Sequence, residues 1–144
     1  VYKRQVLVSY IHNKVTDDLG KLGVMVAIES RAQESKLLDV GKQIAMHIAA
    51  TSPKSLDVDD PDSDLVKRER EVLIEQAMSS GKPKEIAEKI VQGRLQKFYQ
   101  ESCLLEQTFI KDPDKKVKDL ITESIATLGE NISINRYIRF SIGE

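Results

Sequence analysis

Two hydrophobic periods share this chain, and the places where one gives way to the other constrain its fold more than any other feature. In QVLVSYIH, Val6, Val8 and Tyr10 fall on one side and Leu7, Ser9 and Ile11 on the other. Period two is the mark of a strand with one buried face. The polar stretch Asn13 to Gly20 then turns the chain, and KLGVMVAIES puts Leu22, Val24, Val26 and Ile28 on a common face, which predicts an antiparallel hairpin. Gly23 within that second strand predicts a bulge or a close backbone approach.

From Ser35 to Ser52 the period becomes helical: Leu37, Val40, Ile44, Ile48 and Thr51 recur every three or four residues. Ser35 suits an N-cap, and Pro53 biases Ser52 away from helix. Gly41, costly inside a helix, predicts close packing against the sheet. His47 lies beside the core stripe among Ala45, Ala49 and Ala50, and is expected to be a packed or rim histidine hydrogen-bonded to a neighbour rather than a catalyst.

The texture then changes. DVDDPDSDLVKREREVLIEQAMSSGKPKEIAEKIVQGRLQKFYQES is charge-rich, opens on acidic residues and Pro61, and breaks once at Gly81-Lys82-Pro83. Two long helices joined by a tight turn follow from this, with Leu65, Val66, Val72, Leu73 and Ala77 as the seam of the first. Ile86, Ala87, Ile90, Val91, Leu95 and Phe98 form the seam of the second. Ile74, Met78 and Tyr99 are left over for a second copy or a partner.

After the loop CLLEQTFIKDPD, KKVKDLITESIATLGE places Val117, Leu120, Ile121, Ile125 and Leu128 on one helical face, with Gly129 as the stop. In NISINRYIRFSIGE, Ile132, Ile134, Ile138, Phe140 and Ile142 alternate as a third strand, interrupted by Arg136. The expected architecture is α+β: a three-stranded antiparallel sheet packed on helices, with an inserted antiparallel, coiled-coil-like helical hairpin. Residues 1–57 and 103–144 form the α/β body and 58–102 the insertion.

Composition narrows the function. With 22 Lys and Arg against 23 Asp and Glu, the net charge of −1 argues against nucleic-acid binding, which wants a basic surface. No apolar run is long enough to cross a bilayer. The single cysteine, Cys103, can form no internal bridge and is expected to be a buried free thiol in a reducing compartment. The chain starts at Val1 in strand-like sequence, which suggests a fragment or a processed chain.

Reactive constellations are sparse. SSGKPKE contains GK but lacks the upstream glycine of a phosphate loop. His12 and His47 have no partner at helical spacing to make a metal face, and no GxSxG elbow presents a serine. KDPDKKVK is a basic cluster diluted by aspartates. A binding role is favoured, with two alternatives kept: a purely structural dimerisation module, and a small-molecule enzyme using His12 or His47.

The blocks SYIHNK with GKLGVMVAIES, GKQIAMHIAATSP, KREREVLIEQAMSSGKPKEIAEKIVQGRLQKFY, CLLEQTFIKDPDKKVKDLI and GENISINRYIRFSIGE, in that order, resemble the bacterial elongation factor Ts family across nearly the whole chain. The resemblance is to the C-terminal part of the family's core, one α/β subdomain plus its helical hairpin, a dimerisation or coiled-coil module. It implies a cytoplasmic guanine-nucleotide exchange factor for elongation factor Tu, which promotes GDP release without covalent chemistry, cofactor or metal. The family's N-terminal helical domain and Thr-Asp-Phe motif match nothing here, so docking and dimer contacts are the expected contribution. By position, the resemblance implies partner contacts at His12 and at Phe109, Ile110 and Lys111. The family often has a hydrophobic residue where Lys111 stands. Ile74, Met78 and Tyr99 would serve a homodimer. Nucleic acid and membrane are not expected partners.

Overall fold

The computed structural model describes residues 4–59 and 64–143. Its elements run β1 (Arg4–Thr16), β2 (Leu19–Ser30), α1 (Glu34–Thr51), α2 (Asp64–Ser79), α3 (Lys84–Ser102), β3 (Thr108–Phe109), β4 (Asp112–Lys116), α4 (Val117–Leu128) and β5 (Ile132–Ser141). The fold is α+β, with a three-stranded antiparallel sheet in the order β1-β2-β5 and a small β3-β4 ladder. Contacts divide the chain into two compact units: Val1–Ser52 with Thr108–Glu144, and Pro53–Gln107. The second is wider than the sequence suggests at both ends. Residues flanking the helices belong with them because Lys54 and Ser55 donate to the Ser102 carbonyl, and Leu104 donates back to Ser55.

In the first unit, Val6, Val8, Val24, Val26 and Ile28 line the inner sheet face, and α1, which packs on β1 and β2, supplies Leu37, Ile44 and Ile48. Val26, Ile28, Leu37, Ile44 and Ile48 have no exposed surface. Each such side chain contributes roughly 1.5–3 kcal/mol through burial. Gly41 permits the contact: a β-carbon there would lie 2.5 Å from Val8 Cγ2 and 2.9 Å from Ile28 Cδ1. The close packing read from the sequence is present.

Several boundaries differ from expectation. The turn is not Asn13 to Gly20 but Asp17-Asp18, because β1 continues to Thr16 with a register shift between Lys14 and Thr16. Asn13 reaches φ 53°, a left-handed conformation that asparagine tolerates. The cap of α1 is Gln33 rather than Ser35; its carbonyl accepts from Lys36 and Leu37, and no side chain caps the helix. Gly23 sits in unbroken register opposite Ile11 and Phe140, with open space where a β-carbon would stand. It marks neither a bulge nor a close approach.

The largest correction concerns β5. Ile28 pairs with Ile134 and Ala27 with Arg136, so Asn135 is an extra residue, a β-bulge. A slip of one residue sends every later side chain to the other face. Ile132 and Ile134 are therefore buried, whereas Ile138, Phe140 and Ile142 are 41%, 73% and 78% exposed. With Leu7 and Met25 they make the outer sheet face apolar.

α4 starts at Val117, where Lys116 N–H donates to Asp119 Oδ2 at 2.9 Å, and ends at Leu128 before Gly129 at φ 71°, whose N–H donates to the Ile125 carbonyl. Gly129 stops the helix as its left-handed conformation requires. The segment read as one loop before α4 holds a short 3-10 turn, Leu104–Glu106, and the β3-β4 ladder.

In the second unit α2 and α3 contact one another. Gly81 takes φ 66° between them. Arg70 Nη2 donates to the Tyr99 hydroxyl at 3.1 Å, and Arg94 Nη1 to Gln76 Oε1 at 3.3 Å. Val66, Leu73, Ala87 and Tyr99 are buried, while Leu65, Val72 and Ile86 are about half exposed, so the seam is narrower than the apolar spacing predicts. Val66, Tyr99 and Cys103 form its base, packed by Val58, Leu95 and Phe98. Cys103 is buried and in no disulfide, as expected, and its sulfur accepts from Ser55 Oγ at 3.2 Å. Pro61, the expected helix start, lies outside the described residues.

Candidate partner-docking surface

The segment Thr108 to Lys116 doubles back because Thr108 pairs with Lys116 and Phe109 with Asp112, leaving Ile110 and Lys111 at the tip. Phe109 points inward, 4% exposed, with its ring 5.9 Å from that of His47 at a tilt of 32°. Ile110 is 44% exposed and Lys111 is exposed. Of the three residues expected here, two face solvent and Phe109 is their anchor.

His47 occupies a fully buried position on α1, and its Nδ1 accepts the backbone N–H of Ile110 at 3.3 Å. An acceptor needs a lone pair, so the neutral ring carries its proton on Nε2. The expectation of a packed, hydrogen-bonded histidine holds. Its partner, a turn 63 positions away, was not legible from the local sequence.

The ladder is tied to α4. Asp112 Oδ1 accepts from the Asp114 N–H at 3.3 Å, and Lys115 Nζ bonds Glu123 at 2.9 Å and Asp112 at 3.5 Å. The hydrogen bond to Glu123 holds the Lys115 ammonium above its ordinary pKa, against a smaller opposing effect of desolvation. His12, exposed on β1, lies 3.0 Å through Nδ1 from the Tyr10 hydroxyl.

On the second unit, Ile74 and Met78 are 44% and 77% exposed. With Ala77, Ala87 and Val91 they line a groove of about 500 Å³ rimmed by Lys82, Lys84 and Glu88. Tyr99 does not join them: it is 8% exposed at the base of the helix pair, held by Arg70. That hydrogen bond also raises the Arg70 pKa. A leftover apolar residue by spacing is thus an internal brace by position. Among the described residues no cluster of three or more metal-ligating side chains occurs, and no helix is long and apolar enough to cross a membrane.

What the residues brought together here offer is contact surface: an apolar tip on a pinned turn and an apolar groove on a charged helix pair. Comparisons with known proteins place the chain in a family. The family model described as Elongation factor TS matches residues 1–144. Among similar proteins named elongation factor Ts, that of Caulobacter sp. (strain K31) is 45% identical over 136 residues, covering 94% of this chain and 44% of the relative. That of Rhodospirillum centenum is also 45% identical, with the same coverage. That of Alkaliphilus oremlandii is 47% identical over 140 residues, covering 94% of this chain and 62% of the relative. The chain belongs to the elongation factor Ts family. It spans less than half the length of the first two relatives.

Proposed function

We propose that this chain is part of a cytoplasmic guanine-nucleotide exchange factor that binds elongation factor Tu and promotes GDP release during translation elongation. Membership of the elongation factor Ts family carries this reading. Exchange of this kind is negative coupling: the GTPase binds the factor well in one conformation and GDP well in another, so each ligand weakens the other. Such coupling needs complementary surfaces rather than a reactive side chain, and no covalent catalysis, cofactor or metal is assigned here.

Docking falls to the Ile110–Lys111 tip, with Phe109 as the buried anchor beneath it and His12 as a second contact. The exposure of Ile110 on a turn whose backbone is tied to α1 supports this assignment. Lys111 departs from the hydrophobic residue frequent in the family and would meet a polar or acidic spot. The α2–α3 pair is assigned as an antiparallel, coiled-coil-like hairpin that supplies homodimer contacts. Ile74 and Met78 face the second copy, and Tyr99 braces the pair from within.

Elongation factor Tu loaded with fluorescent GDP tests the reading. Faster release on adding the chain supports exchange; a complex without release supports docking alone. Without the rest of the factor, binding is expected to be weak and exchange slow. Ile110→Asp is expected to weaken the complex at least about tenfold, because a charge would be forced into an apolar contact; unchanged affinity removes that anchor.

A second reading, a structural dimerisation module without exchange activity, draws on the groove at Ile74 and Met78. It requires self-association by sedimentation together with no complex with elongation factor Tu.

A further inference from the structure

We propose that His47 is a positioning residue for docking: buried in α1, it sets the Ile110–Lys111 turn through the Ile110 backbone and so governs partner affinity without touching the partner. This rests on the docking role given to that turn above.

A fully buried imidazole is costly unless its polar atoms are matched, and an isosteric apolar residue would fill the volume at no such cost. The polar group therefore calls for a local reason. The 3.3 Å hydrogen bond supplies one, since it falls on the amide of the residue at the apolar tip. The ring also lies against Phe109, so one side chain fixes two successive residues of the turn. The platform is rigid: Ile44, one turn before it on α1, and Ile48, the next residue, are fully buried, and Thr51 Oγ1 donates to the His47 carbonyl at 2.8 Å.

The turn itself is closed by short strands, two residues on one side and five on the other. Left to those alone, the tip would sample several conformations and lose affinity when one had to be selected. Pre-organisation removes that cost before the partner arrives.

The experiment uses the full chain and variants His47→Leu, which keeps bulk but no acceptor, and His47→Asn, which keeps a carbonyl oxygen on a short arm. Each is made alone and with Ile110→Ala. Amide hydrogen exchange and affinity for GDP-loaded elongation factor Tu are measured. His47→Leu is expected to speed exchange at the Ile110 amide about tenfold while β1 and β2 amides stay protected, and to weaken binding by about the same factor. His47→Asn restores most of both. In the Ile110→Ala background, His47→Leu costs little further affinity.

An Ile110 amide as protected in His47→Leu as before overturns the proposal. So does an affinity loss of equal size in both backgrounds, which would mean that His47 acts on the fold at large. If His47→Leu fails to fold, nitrogen NMR of the unaltered chain decides: a His47 Nδ1 signal of a protonated nitrogen overturns the proposal, and an acceptor nitrogen coupled to the Ile110 amide supports it. Absence of any binding by the unaltered chain defeats the docking reading, and the exchange measurement tells that failure apart from failure of the His47–Ile110 link.

Discussion

The sheet-and-helix unit and the α2–α3 unit are built from similar apolar side chains to different depths. In the first, Val26, Ile28, Leu37, Ile44 and Ile48 lose all their exposed surface between two layers. In the second, the most buried side chains of the helices, Val66, Leu73, Ala87 and Tyr99, keep 6–8%. Two helices share one stripe, whereas a sheet and a helix share a face. The second unit therefore leans on polar bracing, such as Arg70 to Tyr99, and leaves apolar groups like Met78 on its outside. A layered core serves as a platform; a thin seam leaves surface for contact.

The contrast can be broken by substitution. Ile44→Ala, which leaves a hole in the filled layer, is expected to cost about 2–5 kcal/mol in denaturant unfolding; a loss below 1 kcal/mol would mean that the layer is not the source of stability. Leu73→Ala falls on the seam, where water and the neighbouring helix can close in, and about 2–3 kcal/mol is expected. Hydrogen exchange should report that loss in α2 and α3 while β2 stays protected; uniform loss would show that the units do not open separately.

Gly41→Ala sets two effects against each other. Alanine gains about 1 kcal/mol of helix propensity, but overpacking against Val8 and Ile28 costs about 1–3 kcal/mol. With both neighbours buried, net destabilisation of about 1 kcal/mol is expected, and a raised melting temperature would show that the helix can back away from the sheet.

The smallest effect is at Lys115. Its folded pKa is raised by Glu123, so the pair contributes stability below the ordinary lysine range, lost as pH climbs through that range. The contribution is small because the ammonium is exposed to solvent. Lys115→Met should remove this alkaline dependence and change little at neutral pH, which unfolding followed against pH would detect.

Period and composition made much of this legible. The β1–β2 pairing, α1 with its Gly41 contact, the break at Gly81 and the stop at Gly129 follow from patterns confined to a few neighbouring residues. What was hidden depends on pairing across the chain. Nothing within NISINRYIRFSIGE says that Asn135 is surplus; only its register against Ala27 and Ile28 does, and Phe140 turns outward as a result. Tyr99 looked spare by spacing and proved internal, because its hydroxyl could find Arg70. The Ile110–Lys111 turn was singled out by resemblance, but His47, which accepts the Ile110 N–H, offered only the signal of a polar residue on a buried helix face.

In the proposed docking mode the chain meets its partner through the tip that His47 secures. Titrating the isotope-labelled chain with GDP-loaded elongation factor Tu shows whether this is so. Amide signals of Ile110, Lys111 and His12 are expected to shift or broaden first, with β2 and the buried face of α1 unmoved. Saturation without change at those residues, or no response at all, would contradict it.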